Sequence, residues 1–299
     1  MSSVILCRTI DELKEQQKKM WSGGSKPSIG FVPTMGYLHE GHASLMRQAA
    51  AENDISVLSI FVNPLQFGPN EDFETYPRNE QRDLSIAAEN GIDIVFMPSV
   101  SEMYPRKVLT KVLVSDVTDR LCGASRPGHF DGVGTVVSKL FHLVQPDRAY
   151  FGMKDAQQVA VIQQMTDDLN FPVTIVPCPI VREPDGLALS SRNVYLNAEQ
   201  RSQAVALSSS LAKAREWMKD ASLTPAELVN KVRAAISEAP LANIDYVEVL
   251  EYPALATPVA DVPFQSTRKH YILALAVKFG ATRLIDNELF EPLEVNGNV

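Results

Sequence analysis

Residues 29–42 read Ile29-Gly30-Phe31-Val32-Pro33-Thr34-Met35-Gly36-Tyr37-Leu38-His39-Glu40-Gly41-His42. Ile29 to Val32 is short, continuous and largely β-branched or aromatic, as expected of a strand covered on both faces. The strand runs into a turn with two glycines in six residues and two histidines, followed by a helix-like stretch from Ala43 to Asn53. Strand, glycine-bearing turn, helix is the unit on which the rest of the chain can be read.

The same grammar repeats outward to about residue 182. Ile55 to Val62, Ile92 to Met97, Ala149 to Phe151 and Val173 to Val176 read as further strands. Arg78 to Asn90, Val133 to Val144 and Asp155 to Leu169 read as helices between them, and Asn90-Gly91 stands where a left-handed helix cap belongs. This alternation predicts an α/β domain, a doubly wound, Rossmann-like parallel sheet with right-handed crossovers. Ligands then collect at the carboxyl ends of the strands, near a topological switch point.

Past residue 183 the pattern changes. Glu199 to Asp220 and Pro225 to Ala239 read as helices, followed by strands at Asp245 to Glu251, Tyr271 to Phe279 and Arg283 to Ile285 with no helical crossovers. A smaller C-terminal α+β domain follows. The charged turn cluster Glu183-Pro184-Asp185-Gly186 sets the expected domains at 1–184 and 185–299.

Composition narrows the function classes. With 45% hydrophobic and 21% charged residues among 299, the chain is neither disordered nor fibrous. A formal net charge of −8 argues against a nucleic-acid binder, whose footprint is basic. Cys7, Cys122 and Cys178 are odd in number and far apart, which gives no disulfide framework and no metal-ligand spacing. No run approaches the ~18 apolar residues of a membrane span. Val4 to Cys7 is too short for a signal peptide. The expectation is a cytoplasmic protein with no membrane partner.

The turn itself suggests phosphate chemistry. A helix N-terminus offers unpaired N–H groups and a partial positive charge. His39 and His42, three apart, project from one side, and imidazoles there can donate to phosphoryl oxygens as pyrophosphate leaves. A metal site would need a third ligand that no neighbouring residue supplies. A purely structural role suits one isolated histidine better than two of the five in the chain set in one turn. The spacing lacks Gly-x-Gly-x-x-Gly, which disfavours a nicotinamide cofactor.

Other strand ends carry further candidates. Asn63 and Gln66 follow the second strand, and side-chain amides bind hydroxyl and carboxylate groups with fixed geometry. Lys154 follows Gly152-Met153 and is a mobile cation suited to triphosphate oxygens, while Asp155 suits a helix N-cap. Ser190, Ser191 and Arg192, in the polar stretch at the domain junction, form a potential phosphate clamp or a solvated linker. Asp83 and the acidic run Glu71-Asp72 are the carboxylates available to Mg²⁺, with Asp83 preferred. Arg126 and His129 could bind triphosphate or shape their loop.

His39-Glu40-Gly41-His42 after a strand resembles the His-x-Gly-His signature of the nucleotidyltransferase superfamily that includes class I aminoacyl-tRNA synthetases. The longer context resembles the pantoate–β-alanine ligase family. It is carried by Val32-Pro33-Thr34-Met35-Gly36, Ser59-Ile60-Phe61-Val62-Asn63-Pro64 with Gln66-Phe67, and Tyr76-Pro77-Arg78. It continues through Ser125-Arg126-Pro127-Gly128-His129-Phe130, Phe151-Gly152-Met153-Lys154-Asp155 with Gln157-Gln158, Asp185 to Asn193, and Arg283-Leu284-Ile285-Asp286-Asn287.

The resemblance implies an enzyme that joins pantoate to β-alanine with ATP and Mg²⁺ through an acyl adenylate, and that forms a homodimer. It implies ATP contacts from Met35, Gly36, Tyr37, Leu38, His39, Glu40, Gly41 and His42, from Gly152, Met153, Lys154 and Asp155 (the last on the ribose), and from Leu189, Ser190, Ser191 and Arg192. Val181 matches a backbone contact to adenine, and Gln66 and Gln158 match pantoate-binding amides, with Asn63 beside them. Some relatives carry Glu where this chain has Met153, so only the backbone carries over there. Catalysis would rest on His39, His42, Lys154, Ser190, Ser191 and Arg192, with the Ser190 to Arg192 loop shielding the adenylate from water. The rival readings are another nucleotidyltransferase, a tRNA synthetase, disfavoured by the charge, and a silent nucleotide sensor.

Overall fold

The structure is a computed structural model that describes residues 4–20, 26–69, 71 and 73–291. By internal contacts the chain divides into two compact units. One is Met1–Met153 with Val161–Val181, the other Lys154–Ala160 with Arg182–Val299. The segment 154–160 therefore goes with the second unit, where the sequence boundary kept it in the first.

The first unit is built on β1 (Ile5–Cys7), α1 (Ile10–Met20), β2 (Ile29–Thr34), α2 (Glu40–Glu52), β3 (Ile55–Ile60), α3 (Glu80–Glu89) and β4 (Ile94–Phe96). There follow α4 (Val100–Met103), α5 (Leu121–Ser125), α6 (His129–Val144), β5 (Arg148–Gly152), α7 (Ala156–Asp168, begun in the other unit) and β6 (Thr174–Cys178). Among the described residues the sheet order is β1-β4-β3-β2-β5-β6, every pair parallel. The doubly wound α/β expectation holds, and the order reverses between β2 and β5. That is the switch point the crevice rule directs attention to.

Buried Val32, Leu38, Met46, Leu58, Val95 and Tyr150 belong to one cluster in which α2 covers the central strands. Gly91, with φ +80, follows α3 as the left-handed residue its Asn-Gly sequence predicted. Strand β1 is a finding beyond the sequence reading, which saw Val4 to Cys7 only as a short apolar run. Cys7 and Cys178 are buried, and burial pushes both thiols up to about 11, so they are packing residues rather than nucleophiles.

The second unit carries α8 (Ala198–Ala204), α9 (Ala206–Trp217), α10 (Pro225–Ser237), β7 (Ala242–Glu251), β8 (Tyr271–Phe279) and β9 (Thr282–Phe290). The single helix expected over 199–220 is interrupted at Val205, whose ψ of −17 departs from α-helical values. The three strands form an antiparallel sheet, β7-β8-β9. Alternate residues of β8, Leu273, Leu275 and Val277, cluster with Leu207, Leu211, Leu228 and Val232 of the helices, while Ile272, Ala274 and Ala276 between them are buried as well. Among the described residues no helix is long and apolar enough to cross a membrane.

Candidate active site

Strand β2 delivers the chain into a strained turn. Gly36 lies at φ +87 and Tyr37 at φ +49. A Cβ on Gly36 would sit 2.9 Å from Ile60 Cγ2, so space and backbone both require glycine. The turn is held by Asp83 of α3, which is 2% exposed. Its Oδ2 accepts from the Tyr37 N–H at 2.9 Å and its Oδ1 from the Leu38 N–H at 2.8 Å. The Arg82 guanidinium lies 5.2 Å from the centre of the Tyr37 ring.

Besides the Mg²⁺ role expected of it, Asp83 thus has a structural one. Both carboxylate oxygens are engaged by backbone donors, and the side chain is a buried support for the turn. Asp72 lies outside the described residues. Among the described residues no group of three or more His, Cys, Asp or Glu is placed to hold a metal ion. Asp83→Asn is expected to cost about 1.5–3 kcal/mol, because an NH₂ group would then face a backbone N–H. Urea unfolding measures this. Undiminished stability with a raised Mg²⁺ requirement would make the metal, not the turn, the main role of Asp83.

His39 is the N-cap of α2 and His42 its third residue. The Gly41 N–H donates to His39 Nδ1 at 3.2 Å, and the His39 N–H donates to His42 Nδ1 at 3.3 Å. The two rings form a reciprocal capping box with centroids 4.1 Å apart. Because both Nδ1 atoms accept, each neutral ring carries its proton on Nε2, the far edge of the imidazole. Two Nε2–H donors at a helix N-terminus are suited to anionic oxygens. The carboxylate of Glu40 pairs with Arg47 on the exposed side of α2, so what Glu40 can offer a phosphate is its backbone. At the same carboxyl edge a cavity of ≈ 280 Å³ is lined by Gly36, Tyr37, Ile60, Asp83, Met97 and Ser99, among others.

The segment after β3 forms a short 3₁₀ turn, Pro64–Gln66. Gln66 is 8% exposed, and its Nε2 donates to Met35 Sδ at 3.2 Å, which ties it to the first motif. Asn63 is 1% exposed. Its amide donates to Gly132 O at 3.1 Å and Gln66 Oε1 at 3.2 Å, and accepts from Tyr104 Oη at 2.9 Å and the Leu65 N–H at 3.3 Å. Two donors and two lone pairs are thus all used. These bonds hold Asn63, expected as a substrate contact, against Gln66. Burial pushes the Tyr104 phenol well up, which keeps its hydroxyl protonated and donating. A Cβ on Gly132 would lie 2.3 Å from Leu65 O, so α6 can seat this turn only with glycine there.

Arg126 and His129 pack against the same turn. His129 Nδ1 donates to Gln66 O at 2.8 Å, and Arg126 Nη1 donates to His129 Nε2 at 3.1 Å. Arg126 also grips Glu71 through Nε at 2.7 Å and Nη2 at 2.6 Å. Burial would raise the Glu71 carboxyl, but the Arg126 hydrogen bonds and charge outweigh it and hold it below the usual range. These residues shape the Gln66 loop.

Met153–Asp155 is a 3₁₀ turn that leads directly into α7, with Met153 the last residue of its stretch of the first unit and Lys154 the first of the second. The Met153 side chain is buried, consistent with a backbone role. Lys154 Nζ lies 3.4 Å from Asp155 Oδ2 with its side chain 21% exposed. Gln158 is half-buried, one turn into α7, and Val181, at the end of the first unit, is half-buried too.

Arg182 is bidentate to the buried Asp286, at 2.6 and 2.9 Å, and also donates to Gly186 O at 3.1 Å. Asn193 Nδ2 donates to Glu183 Oε1 and Ala188 O, and Arg201 pairs with Glu183 and Asp185 at 2.6 and 2.7 Å. The Arg201 hydrogen bond holds the Asp185 carboxyl below its usual range. Leu189, Ser190, Ser191 and Arg192 are half-buried within this braced segment. Ser190 Oγ accepts from the Arg192 N–H at 3.3 Å. The sequence reading gave no role to Tyr104, Gly132, Arg182 or Asn193. For Tyr104, Gly132 and Arg182 the partners Asn63, Leu65 and Asp286 are distant in the chain, whereas Asn193 bonds within ten residues of itself.

Known proteins resemble this chain over most of its length. The family model described as pantoate-beta-alanine ligase matches residues 5–289. A pantothenate synthetase of Caldicellulosiruptor saccharolyticus is 50% identical over 96% of this chain and 100% of its own length. One from Geobacillus kaustophilus is 54% identical over 88% of this chain and 86% of its own. The crystal structure of pantothenate synthetase from Thermus thermophilus superposes with a TM-score of 0.86 at 44% identity, over 95% of this chain and 99% of that one. The Francisella tularensis pantoate-beta-alanine ligase, solved with a β,γ-ATP compound and β-alanine, gives 0.74 at 36% identity, over 96% of this chain and 97% of that one. On identity and match sustained over nearly its whole length, the chain belongs to the pantoate–β-alanine ligase family.

Proposed function

We infer that this enzyme condenses pantoate with β-alanine at the expense of ATP, giving pantothenate, AMP and pyrophosphate. The observation that carries the reading is the pair of Nε2–H donors of His39 and His42 at the N-terminus of α2, set at the sheet's switch point in a family of this activity. A carboxylate oxygen of pantoate attacks the α-phosphorus of ATP, and the bond from that phosphorus to the bridging oxygen breaks as pyrophosphate leaves. The amine of β-alanine then attacks the acyl carbon of pantoyl adenylate. AMP departs with the electron pair, and the amine nitrogen loses its proton.

Such a first step requires positioning and neutralisation of oxyanions rather than a protein nucleophile. In this reading His39 and His42 donate to phosphoryl oxygens, and Lys154, Ser190, Ser191 and Arg192 hold the triphosphate. Gln66 and Gln158 orient pantoate, and Asp155 and Val181 serve the nucleoside. A Mg²⁺ ion bound with the ATP would supply charge neutralisation at the phosphoryl oxygens, with Asp83 the carboxylate proposed to hold it. Dimerisation and a cytoplasmic location belong to the same reading and rest on the family likeness.

The test is pyrophosphate release from MgATP with pantoate alone, followed by AMP formation when β-alanine is added. Stoichiometric pyrophosphate and then amine-dependent turnover are expected. ATP binding without pyrophosphate for pantoate or any other hydroxy acid would favour a silent nucleotide sensor.

A further inference from the structure

The Arg283 to Asn287 stretch matched the family by resemblance but received no chemical role. It lies on β9, where successive side chains take opposite faces. Asp286 stands opposite Leu275, on the face covered by helices, and forms the ion pair with Arg182. Asn287 stands opposite Ala274, on the other face. It is 5% exposed, and its Nδ2 donates to the backbone carbonyl of Lys154 at 3.1 Å, across 133 residues of sequence. Both residues belong to the second compact unit.

A buried amide is costly unless hydrogen-bonded, so the contact fixes the Lys154 peptide as firmly as it satisfies Asn287. The backbone at Lys154 sets the origin from which its four-carbon stem reaches. The lysine sits in a 3₁₀ turn of three residues, where hydrogen-bond geometry is poorer than in an α-helix. An external clamp on its carbonyl therefore has structural work to do.

We propose that Asn287 is a positioning residue for Lys154, acting through that carbonyl to aim the ammonium group at the anionic oxygens of the nucleotide. The proposal rests on the reading of Lys154 as a triphosphate contact. Asn287→Asp keeps the shape but removes the donor, and Asn287→Leu removes it without burying a charge. Either is expected to slow pyrophosphate release by roughly tenfold to a hundredfold, since a 1 Å misplacement of a positioned group can cost about 10². The KM for ATP should rise and that for pantoate should stay.

A double-mutant cycle in the full-length enzyme separates positioning from general support. In a Lys154→Ala background the Asn287 substitution should cost less than about twofold, because its target is gone. The same loss in both backgrounds, an equal rise in KM for pantoate, or failure of both Asn287 variants to fold in urea titrations would overturn the proposal. An unaffected Lys154→Ala single variant would instead remove the underlying reading of Lys154. The two failures are thus told apart.

Discussion

Replacing His42 with alanine is expected to slow pyrophosphate release from MgATP and pantoate by about 10²–10³, or roughly 3–4 kcal/mol of transition-state stabilisation. The geometry also says how to separate this from a folding defect. In this reading His42 has two jobs on two nitrogens: Nδ1 caps the helix by accepting from His39 N–H, and Nε2 carries the proton offered to phosphate. Asparagine places an acceptor near Nδ1 and nothing near Nε2. Glutamine places an NH₂ near Nε2. His42→Asn should therefore keep stability and lose activity, whereas His42→Gln should lose about 0.5–2 kcal/mol of capping energy and retain more of the rate. Urea unfolding and single-turnover pyrophosphate release measure the two jobs independently. If both variants lost rate in proportion to stability, His42 would be a cap and nothing more.

Lys154→Ala is expected to produce a loss of the same order, about 10²–10³ in the adenylation step, by removing a cation from the departing pyrophosphate. Its signature should differ. Lys154 is a point charge on a flexible stem, so Lys154→Arg keeps the charge but brings a planar fork of different reach. We expect it to recover part of the rate, and Lys154→Met to recover none. Neither should unfold the protein, since the ammonium contacts Asp155 with part of the side chain in solvent. Steady-state rates with saturating pantoate, against varied ATP, give the answer. An unchanged rate for Lys154→Met would take the residue out of the triphosphate site.

Asp83 shows how the fold gives a residue a task that its type and position do not state. A carboxylate on a helix beside a phosphate-binding motif invites a metal. The chain also turns it inward to hold the Tyr37 and Leu38 N–H groups, and the turn's positive φ values persist with that support. Asn63 teaches the same lesson. Its type and position suit a substrate amide, and the fold adds four internal hydrogen bonds that hold it beside Gln66.

Whatever depends on neighbours within a few residues was legible in the chain before any fold was known. The β-branched runs of β2 and β3, the Asn90-Gly91 stop, the switch from alternating βα units to adjacent strands, and the His-x-Gly-His turn at the start of α2 are all local signals of periodicity and turn chemistry. Roles that depend on partners far along the chain came from the folded arrangement alone. The three-residue β1 exists because β4 pairs with it. Asp83 reaches back 46 residues to the turn, Arg126 reaches 55 to Glu71, and Asn287 reaches 133 to Lys154. Each is a polar group whose role is set by which donor or acceptor burial places against it, and one sequence without its fold does not state those pairings.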